Sequence, residues 1–117
     1  MRQIEKNMNN AIKSKKNWAG SNTSVITEND GGTIGAESHV HLHGNHIATY
    51  THKLKELQLF DGGWQSNTTK SRLNALCNEF ATGFGVFQKN FNWFISDFSG
   101  DKKDFIDGII VDYNGCW

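Results

Sequence analysis

The stretch from Glu37 to Thr51 constrains the fold more than any other part of the chain. It reads ESHVHLH, then Gly44-Asn45, then HIATYT, so two alternating runs flank a pair of residues that tolerate positive φ. This pattern predicts an antiparallel β-hairpin with a two-residue turn at Gly44-Asn45. The predicted register pairs His43 with His46, Leu42 with Ile47, and Val40 with Thr49.

Two helices and several further strands are indicated on either side of this hairpin. Hydrophobic residues recur every three or four positions from Arg2 to Lys16 and again over residues 67–81, which predicts two amphipathic helices. Residues 23–60 are predicted to form a β-meander. Residues 86–113 are predicted to form further hairpins, one around Asn90-Phe91 and one around Asp107-Gly108, since Asp-Gly suits a tight turn.

These elements predict one α+β domain over residues 1–117. The 117-residue length is that of a single domain. All strand connections are short, so the sheet should be an antiparallel sheet of β-hairpins with the two amphipathic helices packed on it. Residues 84–98 hold six aromatic residues, and both faces of the Asn90-Phe91 hairpin carry apolar side chains. We expect most of them in the core, with the second face covered by the first helix or by a partner chain.

Histidine is concentrated in the first hairpin, because all five histidines lie between residues 39 and 52. In the predicted register they share one sheet face with Tyr50, while the other face enters the core. His41, His43 and His46 then form a candidate site for zinc or nickel, because imidazole is the commonest metal ligand. The alternative is a polar strand face turned to solvent, which antiparallel sheets routinely present.

The segment from Asp61 to Arg72 is the second candidate site. A glycine pair followed by a helix N-terminus lets backbone amides approach an anion, and hydroxyl, indole and basic side chains follow at once. This chemistry suits a phosphate or nucleotide, with Trp64 stacking on a base. The alternative is a structural turn with a Ser/Thr helix cap. The predicted site comprises Asp61, Gly62, Gly63, Trp64, Thr68, Thr69, Lys70 and Arg72.

Charge and motif content narrow the possible functions. Twelve basic residues balance twelve acidic ones, which argues against a strongly basic nucleic-acid binder and against an acidic DNA mimic. We find no apolar run long enough to span a membrane and no signal-peptide core. Cys77 and Cys116 have no CxxC spacing and are expected to be free thiols. No catalytic motif is present, so we predict a non-enzymatic protein with no obligatory cofactor.

Four strings carry a family resemblance: Leu42-His-Gly-Asn45, Phe60-Asp-Gly-Gly-Trp64, Thr68-Thr-Lys-Ser-Arg-Leu-Asn-Ala-Leu76 and Gly85-Val-Phe-Gln-Lys89. Over residues 1–98 the chain resembles a family of small uncharacterised proteins encoded by tailed bacteriophages. The resemblance implies an accessory protein in the cytoplasm of the infected bacterial host. It implies that the protein acts by binding a nucleotide, a nucleic-acid phosphate or a host defence or regulatory protein. A membrane is not expected among its partners. The alternatives are a homo-oligomeric protein-interaction module and a histidine-rich metal-binding protein.

Overall fold

Two helices flank a run of strands in the computed structural model, which describes residues 2–29 and 35–112. Helix α1 spans Gln3–Lys13 and helix α2 spans Asn67–Phe80. Both lie where the hydrophobic spacing predicts them, and α1 ends before Lys16. Ser66 caps α2, because its hydroxyl accepts the backbone N–H of Thr69 at 3.1 Å.

Nine strands form two antiparallel sheets within the described residues. The main sheet has the order β1-β2-β3-β4-β5-β9, and the small sheet has the order β6-β7-β8. The strands are β1 (Trp18–Ala19), β2 (Thr23–Asn29), β3 (Ala36–Leu42), β4 (Asn45–Thr51), β5 (Glu56–Leu59), β6 (Gly85–Lys89), β7 (Asn92–Ser96), β8 (Lys102–Asp104) and β9 (Ile109–Asp112).

One hydrophobic core joins both helices to both sheets. Met8 from α1 and Leu76 from α2 are fully buried with Val40 and Leu57 of the main sheet, and Ile95 brings in the small sheet. The helices cover one face of the main sheet because each turns its apolar stripe toward the strands. The predicted α+β class, with antiparallel sheets and two packed helices, is therefore confirmed.

The β3–β4 hairpin forms, but its predicted register is wrong. Leu42 pairs with Asn45 and His41 with His46, so the two turn residues are His43 and Gly44, with φ of 52° and 78°. The register then shifts, so that Val40 pairs with Ala48. A bulge of this kind leaves one residue unpaired, here Ile47, which lets Ile47 and Ala48 both enter the core.

The bulge also changes which side chains share a face. Thr49 leaves the core face and joins the histidines, whereas Tyr50 turns inward and packs against Phe80 with ring centroids 4.5 Å apart. The sequence placed these two residues the other way round. Alternation along a strand cannot predict a bulge, and one extra residue inverts every later position.

The last two predicted hairpins had different outcomes. β6 and β7 pair around Asn90-Phe91 with Phe87 opposite Phe94, as predicted. The hairpin around Asp107-Gly108 was wrong, because β9 pairs with β5 instead and buries Val111 opposite Leu57. β9 pairs with the edge of β5, which is also an apolar strand, and this long-range pairing has no local signal in the sequence. Tyr113, the predicted end of that hairpin, lies outside the described residues.

Neither helix in residues 2–29 and 35–112 is long and apolar enough to cross a membrane.

Candidate functional site

The loop between β5 and α2 folds around the carboxylate of Asp61. One carboxylate oxygen accepts the N–H of Gly63 at 2.7 Å, and the other accepts the side-chain amide of Gln65 at 3.2 Å. The N–H of Asp61 donates to the carboxylate of Asp107 at 3.0 Å. Gly62 has φ of 72°, and a Cβ there would meet the Ile47 side chain at 3.1 Å, so glycine is required for this close approach.

The first turn of α2 fixes the other end of the loop. The Thr69 hydroxyl donates to the carbonyl of Trp64 at 3.1 Å and lies 2.9 Å from the Ser66 hydroxyl. Thr69 is buried, whereas the side chain of Trp64 is 73% exposed. The loop backbone is therefore held at both ends while its indole ring faces solvent.

A cavity of about 320 Å³ lies between this loop and the turn of the β3–β4 hairpin. We call it the turn pocket. It is more enclosed than the larger open groove, of about 720 Å³, that runs beside Phe94. Its lining combines apolar and polar side chains: Leu42, His43, Asn45, Ile47, Asp61, Gly62, Trp64, Ser66 and Thr69.

The polar groups of the turn pocket are suited to a ligand that both donates and accepts hydrogen bonds. Within residues 2–29 and 35–112, the side chains of His43 and Asn45 have no hydrogen-bond partner. Asp61 adds a carboxylate, whose oxygens act as acceptors. No lysine or arginine of the described chain lines the pocket. The pocket therefore favours N–H donors and lacks the cation that a phosphate would need.

The structure divides the predicted phosphate site. Asp61, Gly62, Trp64 and Thr69 line the turn pocket, and Gly63 lies in the same loop. Thr68, Lys70 and Arg72 do not line it. The ammonium of Lys70 instead donates to the side chain of Gln88 on β6 at 3.2 Å.

Arg72 points into the protein, where it forms an ionic cluster with α1 and the β1–β2 loop. One terminal nitrogen of its guanidinium lies 2.8 Å from the carboxylate of Glu5, and both side chains are almost fully buried. Nε donates to the Thr23 hydroxyl at 3.0 Å, and the second terminal nitrogen donates to the Asn22 side chain at 3.2 Å. The donors of Arg72 are thus used inside the fold, and its role as a phosphate ligand stays a prediction from the sequence.

A signal for this ionic cluster exists in the sequence. Glu5 lies three and seven residues before Met8 and Ile12, and Arg72 lies four residues before Leu76, so each charge falls on the apolar stripe of its helix. Opposite charges on the buried faces of two helices indicate a pair between them. This pair is not apparent when Arg72 is considered together with the loop that precedes α2.

The face of the main sheet that points away from the helices holds three of the five histidines, His39, His41 and His46. His46 lies between His41 and Phe60, with ring centroids 5.4 Å and 4.7 Å away, and His39 is 5.8 Å from His46. Thr49 links two of them, because its hydroxyl lies 3.0 Å from Nδ1 of His39 and 2.7 Å from Nε2 of His46. Burial and then the neighbouring His41 lower the pKa of His46, which favours its neutral form.

The candidate metal set of His41, His43 and His46 is not assembled. His43 lies in the turn and lines the turn pocket, away from the other two. His52 lies on the core side, where Nε2 is 2.8 Å from the Ser38 hydroxyl. The described part of the chain contains no group of three His, Cys, Asp or Glu side chains placed to hold a metal ion.

Cys77 is a free thiol buried in the core, as the helix spacing predicts. Burial raises its pKa to about 12, so it stays protonated at neutral pH and is a poor nucleophile. Cys116 lies outside the described residues.

The comparison with protein families identifies the chain. A sequence model of the family described as Kyanoviridae Gp96 protein matches residues 1–112, and the chain belongs to this family. The resemblance to a bacteriophage protein family is therefore confirmed. The comparisons with curated proteins and with solved structures give no match.

Proposed function

We propose that this member of the Kyanoviridae Gp96 protein family is a non-enzymatic binding protein whose turn pocket takes a nucleobase. It acts in the cytoplasm of the infected host on a small ligand that carries such a base. One observation carries the proposal: the polar side chains of His43 and Asn45, a carboxylate and an exposed indole ring surround one partly enclosed cavity. Binding sites commonly combine an apolar lining with a few convergent polar groups.

The chemistry of a nucleobase matches each part of the turn pocket. Its flat ring can stack on Trp64 at the rim, as bases do on aromatic side chains. An amino or ring N–H group can donate to Asp61, while ring acceptors can pair with His43 or Asn45. A cavity of about 320 Å³ is at the small end of ligand sites, so it suits a base or nucleoside rather than a larger cofactor.

In this proposal the protein recognises the base of a nucleotide rather than its phosphate. The sequence favoured the phosphate, through Lys70 and Arg72. Because Arg72 is enclosed in the ionic cluster and Lys70 bonds to Gln88, the base is the better candidate. We therefore expect nucleosides to bind as well as nucleotides, and inorganic phosphate not to compete.

The test is an NMR titration of isotope-labelled protein with each common nucleoside. We expect one base to shift the resonances of His43, Asn45 and the Trp64 indole. Trp64→Ala should weaken that binding by about tenfold, since stacking contributes about 1–3 kcal/mol per base. Asp61→Asn should weaken it too and should change which base is preferred.

Lys70→Ala is the matched control, because Lys70 is close in sequence but outside the turn pocket. It should leave nucleoside binding unchanged. If no nucleoside shifts the pocket resonances at millimolar concentration, the proposal is wrong. If phosphate competes and Lys70→Ala abolishes binding, the original phosphate hypothesis replaces it.

A host protein partner, homo-oligomeric assembly and metal binding remain hypotheses from the sequence. The separation of His43 from His41 and His46 removes the geometry on which the metal hypothesis rested.

A further inference from the structure

The small sheet has one face turned away from the core, which we call the open face. Val86, Trp93 and Ile95 point inward and join the core cluster. Alternation along the strands places the neighbouring side chains on the other side. The open face is formed by Phe87, Lys89, Asn92, Phe94, Ser96 and Lys102, with Asp104 at its edge.

Two aromatic rings occupy the centre of the open face. Phe87 and Phe94 are cross-strand partners, and their rings stack with centroids 5.5 Å apart and an angle of 25° between planes. Both side chains are only partly buried. The two partly exposed rings together form an aromatic platform at the centre of the face.

Cations lie at both ends of this platform. Lys102 pairs with Ser96 beyond Phe94, and its ammonium lies 6.0 Å from the centre of the Phe94 ring. Lys89 pairs with Asn92 beyond Phe87, toward the hairpin turn. Asn92 lies directly across from Lys89 and Ser96 directly across from Lys102, so each cation has a hydrogen-bonding side chain beside it. Asp104 lies opposite Phe94 and carries the opposing charge.

The turn at the end of the open face exposes a third ring. Phe91 has φ of 66° and is 92% exposed. A bulky residue rarely adopts this left-handed backbone, and glycine would be the favoured residue in such a turn. An aromatic ring in a strained and solvated position does not stabilise the fold, so a role in binding explains why it is there.

We propose that the open face binds single-stranded nucleic acid, with bases stacked on Phe87, Phe94 and Phe91 and phosphates beside Lys89 and Lys102. Exposed aromatic side chains on a sheet, with cations along the track of the backbone, are how many proteins hold single strands without reading a specific sequence. This inference does not depend on the turn pocket, which lies on other elements.

A single strand fits the open face better than a protein partner does. The centre of a protein interface is depleted of charged residues, especially lysine. Here the pair of rings has a cation in the next cross-strand row on either side, Lys89 on one side and Lys102 on the other. A phosphate–base repeat matches that alternation, whereas an apolar protein surface would bury Lys102 and Asp104 without partners.

The test measures fluorescence anisotropy of labelled oligothymidylate and oligouridylate of about twelve nucleotides with the full chain. We expect weak binding that falls steeply with salt between about 50 and about 200 mM. Phe87→Leu with Phe94→Leu keeps apolar strands but removes the rings, and it should weaken binding at least about tenfold. Circular dichroism and tryptophan fluorescence establish that this variant is folded.

Three further variants sharpen the result. Lys102→Ala should reduce the slope of log affinity against log salt by about 0.7, the value for one phosphate contact on a single strand. Asp104→Asn should raise affinity about twofold or more, because it removes the carboxylate nearest the track. Lys6→Ala, an exposed lysine on α1, should change neither quantity.

Trp64→Ala separates this site from the turn pocket, since it removes an exposed ring elsewhere. Strand binding should survive that change. The proposal is overturned if no oligonucleotide binds at low salt, or if binding is lost with Trp64 and kept without Phe87 and Phe94. It is equally overturned if the ring variants alter only self-association, which would assign the face to a second copy of the chain. A preference for oligouridylate over oligothymidylate would identify RNA as the ligand.

Discussion

The ionic cluster and the open face of the small sheet differ in an unusual way: the ionic cluster buries charged residues, whereas the open face exposes aromatic ones. Glu5 and Arg72 lie in the core with every guanidinium nitrogen bonded, whereas Phe91 lies in solvent with strained backbone. A buried charge is retained only when it is paired, so full pairing indicates a structural role. An exposed ring has no such structural reason. Bonding partners, rather than residue type, therefore separate structural residues from binding residues in this protein.

Breaking the ionic cluster should have the largest effect. Arg72→Met leaves Glu5 buried without its cation, so we expect the free energy of unfolding to fall by about 3–5 kcal/mol. Urea denaturation measures this loss. Adding Glu5→Leu should recover much of it, because two apolar side chains replace the pair. An Arg72→Met protein of unchanged stability would contradict the structural role and return Arg72 to the candidate ligands.

Two neighbouring residues of β7 provide the next contrast. Ile95 is fully buried, and Ile95→Ala should cost about 2–5 kcal/mol through lost burial and the cavity it leaves. Phe94 is the adjacent residue on the open face, and Phe94→Thr should cost about 1 kcal/mol or less, within the range of strand propensities. Thermal unfolding of both variants tests the assignment of faces. Equal losses would mean that the open face is also part of the core.

Much of this fold follows from the sequence, for identifiable reasons. Both helices and the β6–β7 register have local signals: residues three and four apart, and a two-residue turn between matched strands. Three features have none. The bulge at Ile47 inverts the end of β4, β9 pairs with a strand about fifty residues away, and Arg72 bonds to Glu5 across two helices.

The residues of the candidate site also divide into those with a local sequence signal and those without one. Asp61, Gly62 and Trp64 were predictable because a Gly-Gly turn before a helix is a local pattern. His43 and Asn45 complete the turn pocket only because the hairpin turn lies one residue earlier than predicted and meets the loop in space. Residues brought together by tertiary packing leave no mark at short sequence separation.

The histidines on the main sheet are intermediate between the buried ionic cluster and the exposed Phe91, because they are partly buried and partly hydrogen-bonded. Burial lowers the pKa of His46 and of His52, so each binds its proton at lower pH when folded than when unfolded. As pH falls below about 6.5, the unfolded state binds more protons and stability decreases until the folded pKa is passed. Urea midpoints at about pH 7.5 and about pH 5.5 measure this slope.

The variant that tests this is His46→Gln, which should flatten the slope. A slope that is the same in this variant and in the unchanged protein would show that the group around His46 does not oppose protonation.

The smallest expected effect is a gain in stability at the turn of the open face. Phe91→Gly removes the strain of a left-handed phenylalanine, worth about 1–2 kcal/mol per residue, but adds flexibility to the unfolded chain. We therefore expect a net increase of about 0.5 kcal/mol in the free energy of unfolding. The same variant should bind single-stranded oligonucleotides more weakly, because it lacks one stacking ring. Stability that rises while binding falls is expected of a residue kept for binding at the expense of the fold. A loss of stability would instead mean that Phe91 packs against the protein, and the contrast with the ionic cluster would then rest on Phe87 and Phe94 alone.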